Sequence, residues 1–423
     1  MKLLIAATPL TGHLNPLLAV ARAALARGDE VVVTTASAFR DRVEAEGLRC
    51  LPYEDDHAAE YRATELPAGP ERYRREFERR FIDGIPSQAE WLRGLIARER
   101  PDALVAGSLV LGVLPLLLGA GPRPPVVTCN VSFLFLDRPD GAPVGPGLPP
   151  ARDAAERARY AAIRAQVEAA FTQPVRAYTD AALARAGAPG LPASLTHAIL
   201  TLPDALVQFT TPAFEYDFSP LPPSIRFVGA LPPPAQAAPR PDWWGDLAGG
   251  RRIVLVTQGT LANADFDELV APTLAALAGR EDVLVLGTTG GRPLDAVRGP
   301  IPANARLATF LPFTDLMPRL TALVTNGGYG TVQAALQAGV PILSAGLTED
   351  KAEIGARVGW SGAGLNLATN TPSPDEIRRS VDALLDEPSF RLRAQALAAD
   401  FARHDPLAET LAVIDEAVRA GRR

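Results

Sequence analysis

Two runs of alternating strand and helix signals, separated by a proline-rich stretch, constrain this chain more than any other feature. In the first, Leu3-Leu4-Ile5-Ala6-Ala7 is a continuous apolar run, as a strand covered on both faces requires. Asn15-Pro16 reads as a helix start, with a side-chain cap and a proline whose missing N–H is harmless at the first position. Leu17, Val20, Ala21, Ala24 and Leu25 recur at helical spacing until Gly28, and Val31-Val32-Val33-Thr34 is the next strand. Strand–helix–strand units of this kind build doubly wound parallel sheets. The second run contains Arg252–Thr257, Val283–Leu286, Ala322–Thr325 and Val340–Leu343 as strands. Between the runs, Pro220 to Pro241 holds eight prolines, which favours an extended, stiff linker. The expected class is α/β, with two Rossmann-like domains facing each other across a cleft. Residues 1–219 form the N-terminal domain, 220–248 the linker, 249–405 the C-terminal domain and 406–423 a last helix. A length of 423 residues suits two such domains.

Composition removes several function classes. A net charge of −6 provides no basic footprint for nucleic acid or anionic lipid. The two cysteines, Cys50 and Cys129, form no CxxC, which excludes a disulfide scaffold and a cysteine zinc site and fits a reducing cytoplasm. Met1–Ala7 soon meets Pro9 and His13, so it reads as a strand and not a leader. Ala103 to Pro122 carries no charge and is long enough to span a bilayer. Its glycines, Pro115 and Ser108 instead favour a buried strand, Ala103–Ala106, then a short buried helix, with no membrane insertion. Imidazole chemistry has only His13, His57, His197 and His404, and amine chemistry only Lys2 and Lys351.

Two stretches of the first half look inserted. Glu71–Phe81 places Tyr73, Phe77 and Phe81 four apart on an amphipathic helix whose arginines and glutamates make a solvated face. Phe133–Pro150 is rich in glycine and proline and reads as a loop beside the cleft.

The strongest chemical signal is Thr325-Asn326-Gly327-Gly328-Tyr329-Gly330-Thr331-Val332-Gln333, which follows a strand and opens a helix. Glycines let the backbone approach a ligand, and the N–H groups of the helix start attract an anion such as a diphosphate. A turn needed only for tight packing would show the same glycines. The loop lacks the Gly-Lys-Ser/Thr ending of a P-loop, and no GxGxxG follows the first strand, which speaks against ATP hydrolysis and an NAD-dependent oxidoreductase. Gly339-Val340-Pro341 and Gly346-Leu347-Thr348-Glu349-Asp350-Lys351 then place polar groups at the carboxyl edge of the same sheet. A carboxylate there can accept from sugar hydroxyls, or simply mark an acidic helix start.

With these motifs the chain resembles the GT-B UDP-glycosyltransferases, including the bacterial antibiotic and macrolide glycosyltransferases. The resemblance rests on Thr11-Gly12-His13-Leu14-Asn15-Pro16, on Asn326-Gly327-Gly328-Tyr329-Gly330-Thr331, and on Gly339-Val340-Pro341, Asp350-Lys351, Arg357-Val358 and Gly362-Ala363-Gly364 in that order. It implies transfer of a sugar from a UDP- or dTDP-linked donor to a small apolar acceptor, with inversion, no cofactor and no metal. His13 matches the general base, for which a near-neutral pKa is suited. Asn326, Gly327, Gly328, Gly330 and Thr331 match the diphosphate site. Gln258, Gly259 and Thr260, with Phe310 and Leu311, match the nucleoside site. Asp350 and Lys351 fall at the sugar site. Gly12, Tyr73, Phe77, Ser108, Phe133 and Phe135 are the acceptor candidates, although the aromatic ones serve equally as ordinary core. The last helix is implied to cross back onto the first domain.

Four positions depart from the family pattern. Asn326 replaces a histidine and keeps a neutral donor for phosphate. Lys351 replaces a glutamine, and a cation there suits a different hydroxyl pattern or an acidic sugar. The ribose-binding acid is replaced by Ala334, with Gln333 beside it as a substitute. The acid that orients the histidine is replaced by Gly107, leaving Ser108 as an uncharged neighbour. A nucleotide-sugar-binding protein without transfer activity, supporting a partner, is the alternative. His57 reads as part of an acidic loop, and His197 and His404 as helix-associated side chains.

Overall fold

The computed structural model describes residues 1–54, 61, 63–67, 69–233, 238–260 and 262–421; His57 lies outside them. The first sheet comprises β1 (Lys2–Ala6), β2 (Glu30–Thr34), β3 (Arg49–Cys50), β4 (Ala103–Gly107), β5 (Val126–Asn130), β6 (Ala205–Gln208) and β7 (Ile225–Phe227). They lie in the order β3-β2-β1-β4-β5-β6-β7, all parallel. The second comprises β8 (Arg252–Thr257), β9 (Val283–Thr288), β10 (Ala305–Ala308), β11 (Ala322–Thr325), β12 (Ile342–Ser344) and β13 (Gly364–Asn366). Its order is β10-β9-β8-β11-β12-β13, again parallel. Leu3, Leu4, Ile5, Val254, Leu255 and Val256 are fully buried, which is why these strands read as unbroken apolar runs. In each sheet the strand order reverses beside the first strand, at β1/β4 and at β8/β11. Such switch points leave a crevice at the carboxyl ends of the strands.

Three expectations change in detail. The first helix starts at Thr11, not at Asn15, and holds Pro16 within it. The bond that Pro16 cannot make belongs to the carbonyl of Gly12, an exposed residue whose oxygen solvent can reach. The stretch expected as a linker contains β7, so the first sheet runs on to Phe227, and a 3-10 segment at Asp242–Ala248. An edge strand tolerates the prolines that precede it. Glu71–Phe81 is a helix over Pro70–Phe77 that continues as a π-helical turn over Glu78–Ile82. Its charges pair along the helix, as in Arg72–Glu76 at 3.1 Å and Arg74–Glu78 at 2.5 Å, and Glu78 is buried instead of solvated.

The uncharged stretch after Asp102 is β4 followed by short helical segments at Leu111–Val113 and Leu114–Leu118. Among the described residues no helix is long and apolar enough to cross a membrane. The last helix, Pro406–Gly421, returns to the first sheet. There Leu411, Val413, Ile414, Ala417 and Val418 join the core of Leu17, Val20, Val105, Val127 and Val207.

Candidate functional site

Contacts connect residues that follow the strand ends of both sheets: Ser132, after β5, reaches Asp350, after β12, and Asn326, after β11, reaches Gln258, after β8. His13 sits in the first turn of the helix after β1. Its Nδ1 is buried without a hydrogen-bond partner, while Nε2 is not enclosed. Burial pushes the imidazole below the ordinary value of 6.5, opposed by the charges of Asp350 and then Glu349. The carboxylates that act on this histidine therefore come from the other half of the chain. Ser108 does not supply the missing partner. It is buried at the end of β4, its N–H donates to the Cys129 carbonyl at 3.1 Å, and Nδ1 of His13 goes unpaired. A Cβ at Gly107 would meet Leu17 Cδ2 at 3.7 Å and Val110 Cγ2 at 3.8 Å, ordinary contacts, so crowding at the backbone does not forbid a side chain there.

The segment after β12 is tightly shaped. Gly346 admits no side chain, since a Cβ would lie 2.1 Å from the Asn326 carbonyl oxygen. Glu349 adopts a left-handed φ of 58°, uncommon for a residue with a side chain. Asp350 Oδ2 accepts from Ser132 Oγ at 2.5 Å, a contact between the two halves. Lys351 corrects its expectation: its ammonium pairs with Glu349, and its side chain is only 6% exposed. A cation neutralised in this way is not offered to an acidic sugar. Arg80, from the inserted helix, approaches Glu349 at 3.9 Å.

The glycine loop opens the helix Tyr329–Gln337, with Gly327 at φ 95°. Gly328 and Thr331 are half-buried and Gly330 exposed, so the unpaired N–H groups of this helix start lie near the surface of the cleft. Three side chains expected at the ligand are engaged elsewhere. Asn326 Nδ2 donates to the Gln258 carbonyl at 2.8 Å and the Ala262 carbonyl at 3.4 Å, so it ties the β11 loop to the β8 loop and has no N–H left for phosphate. Gln258 Nε2 donates to the Asp265 carbonyl at 2.8 Å and its Oε1 accepts from the Val270 N–H at 3.1 Å, which braces the β8 loop from within. Gln333 Nε2 donates to Thr210 Oγ1 at 3.2 Å across the halves, and the side chain is buried. Gly259, at φ 70°, and exposed Thr260 form the open rim of the β8 loop. Phe310 is 42% exposed with its ring against Gly291, where a Cβ would come within 2.8 Å, whereas Leu311 is 1% exposed and belongs to the core.

The acceptor candidates divide. Tyr73 stacks on Phe171 with ring centroids 5.4 Å apart, and Phe77 packs against Phe81 and Phe171 at 5.1 and 5.7 Å. Tyr73 is 42% exposed, yet burial raises its pKa, aided by the charges of Asp350, Glu349 and Glu76. Two of these carboxylates, Asp350 and Glu349, are the ones that act on His13. Phe133 goes elsewhere. It is buried among Tyr329, Ile354 and Val358 in the core under the second sheet, edge-on to half-buried Phe135 at 5.9 Å. Gly12 is exposed, with open space around it. Ser132, Arg80 and Phe171 lie beside the candidate residues although the motifs did not single them out, and Glu349 belonged to a motif in which only Asp350 and Lys351 were given a role. The only sequence signal of the first three is proximity to a strand end or to an aromatic row. Among the described residues no group of His, Cys, Asp and Glu is arranged to hold a metal.

Residues 275–416 match the family described as erythromycin biosynthesis protein CIII-like, C-terminal domain. The chain is 38% identical to 4'-demethylrebeccamycin synthase of Lentzea aerocolonigenes, over 98% of this chain and 99% of that protein. It is 33% identical to UDP-glycosyltransferase 2 of Phaeomoniella chlamydospora, over 99% and 96% of the two chains. Its architecture is similar to the crystal structure of CalG4, the calicheamicin glycosyltransferase, at a TM-score of 0.72 and 20% identity over 98% of each chain.

Proposed function

This chain belongs to the GT-B glycosyltransferases that include the antibiotic and macrolide enzymes, and from that premise we propose that it moves a sugar from a UDP- or dTDP-linked donor to a hydroxyl of a small apolar natural product. The observation that carries the reading is His13. It is an imidazole that burial favours in the neutral form, in the first turn of the helix after β1. The charges acting on it are those of Asp350 and Glu349, from the half that carries the glycine loop. In a single displacement, the acceptor oxygen attacks the anomeric carbon, the bond from that carbon to the diphosphate breaks, and the configuration inverts. The acceptor proton passes to His13 Nε2, the ring nitrogen that is not enclosed. The imidazolium so formed gains from the charges of Asp350 and Glu349. The departing diphosphate gathers negative charge, which the N–H groups at Gly328, Gly330 and Thr331 and the helix dipole stabilise. Asp350 accepts from the hydroxyls of the sugar, Phe310 offers an exposed face for the base, and Tyr73 with Phe77 offers an apolar wall for the acceptor. No step calls on a cofactor or a metal.

The test compares wild type with His13→Ala across UDP- and dTDP-sugars and phenolic and alcoholic acceptors. Donor-dependent product is expected from wild type, reduced about 100- to 10,000-fold in the variant. Equal rates would sink the base assignment. Nucleotide binding without any transfer in wild type would sink the reaction itself.

A further inference from the structure

We propose that residues 132–147, which belong by sequence to the N-terminal half, form a strap that bridges the two halves along the helix after Asp350, and that Ser132 is a positioning residue that aims the carboxylate of Asp350. The inference rests on the reading of Asp350 as the sugar-binding acid.

On the N-terminal side Asn130 and Gln208 donate to the Ser132 carbonyl, the Leu134 N–H donates to Glu215, and Leu134 and Leu136 pack in that half's core. On the C-terminal side the anchors of the strap lie on one short region of the helix Lys351–Ser361 and the residue before it. Ser132 Oγ donates to Asp350 Oδ2 at 2.5 Å. The Leu134 carbonyl accepts from Arg357 Nη2 at 3.2 Å, and the same guanidinium stands 4.5 Å from the centre of the Phe133 ring. The N–H groups of Gly145 and Gly147 donate to Glu353 Oε1 at 2.7 and 3.1 Å. Asp350, Glu353 and Arg357 are spaced i, i+3, i+7, so the strap follows a single helix face. Gly147, at φ 68°, lies so close that a Cβ would be 2.3 Å from the Ala352 carbonyl oxygen.

The effect falls on Asp350. This side chain does not cap its own helix. The Ser132 hydroxyl takes one of its oxygens, in a hydrogen bond strengthened by the charge of the acceptor, and Oδ1 is left to accept from a sugar hydroxyl. Because Asn130 and Gln208 hold Ser132 by its carbonyl to the first sheet, this aim depends on the two halves staying docked.

The experiment measures calorimetric affinities of the full chain for UDP, dTDP, UDP-glucose and dTDP-glucose. The readout is the ratio of sugar-bearing to sugar-free affinity for the nucleotide that wild type prefers. Ser132→Ala is expected to weaken binding of the sugar nucleotide about tenfold and leave the bare nucleotide unchanged, with Ser132→Thr restoring it. Gly147→Ala, which pushes the strap off the helix without touching a ligand-facing group, is expected to lower the same ratio. If Ser132→Ala weakens both ligands equally, or neither, Ser132 does not position Asp350. If Gly147→Ala leaves the ratio intact, the strap is overturned. Failure of wild type to bind any of the four removes the donor-site reading and the strap with it. Normal wild-type binding with unaltered variants removes the strap alone.

Discussion

The guanidinium of Arg357 meets the carboxylate of Glu215 at 2.7 Å across the two halves of the chain, with side-chain exposures of 1% and 0%. Glu353 pairs with the same guanidinium at 2.9 Å, and the rings of Phe133 and Tyr216 lie 4.5 and 4.3 Å from it. Burial holds Glu215 above the usual carboxylate range even though Arg357 works against it. The halves are thus joined by a buried charge cluster as well as by the chain itself.

Removing the cation from that cluster leaves two buried carboxylates uncompensated. Arg357→Met is expected to lower unfolding stability by about 3–5 kcal/mol in urea. Adding Glu215→Leu in the same chain should recover part of it. A loss under about 1 kcal/mol in the single variant would show that the cluster is not a stabilising clasp.

As the proposed base His13 must be neutral, and burial lowers its pKa more than Asp350 and Glu349 raise it. Activity is therefore expected to persist below pH 6.5 and to fall as pH drops through the depressed folded value. Asp350→Asn removes a charge that favours the protonated ring, so the acidic limb of kcat/KM should move further down while kcat/KM itself falls. A wild-type limb at or above 6.5 contradicts the burial of the base.

Nδ1 of His13 has no partner, and the backbone of Gly107 admits a Cβ. Gly107→Asp is expected to raise kcat by about tenfold or more, since an acid beside a histidine base fixes its tautomer and stabilises the imidazolium. An accompanying upward move of the acidic limb would identify His13 as the group affected. A folded variant with unchanged kcat and limb would show that this position does not reach the ring.

Lys351 pairs with Glu349 beside Asp350, the proposed sugar-binding acid. Lys351→Gln takes one cation from that carboxylate and is expected to shift donor preference several-fold. Equal selectivity over a panel of UDP- and dTDP-sugars would remove Lys351 from donor choice.

The exposed ring of Phe310 is held by the turn at Gly291. Phe310→Ala is expected to weaken binding of the bare nucleotide about three- to tenfold, the worth of one aromatic contact, and to leave the acceptor KM alone. Unchanged nucleotide affinity would place the base elsewhere.

Much of this protein is legible in its amino-acid order. Apolar runs at Leu3–Ala7 and Arg252–Thr257, the helical spacing from Leu17 to Leu25 and the proline-rich break specify two parallel-sheet halves, because periodicity and turn chemistry are local properties. Asn326–Thr331 and Asp350 are found in the same way, as contiguous motifs next to strand ends. What the order of residues does not contain is the pairing of side chains from distant segments. Asn326 and Gln258 read as ligand contacts, and packing turns both into braces between loops. Phe133 reads as acceptor wall, and the buried charge of Arg357 draws it into the opposite half. His13 reads as a base without its acid, and docking of the two halves brings Asp350 and Glu349 to it. Which carboxylate meets which imidazole depends on how two independently wound sheets close against each other, and no local pattern encodes that closure.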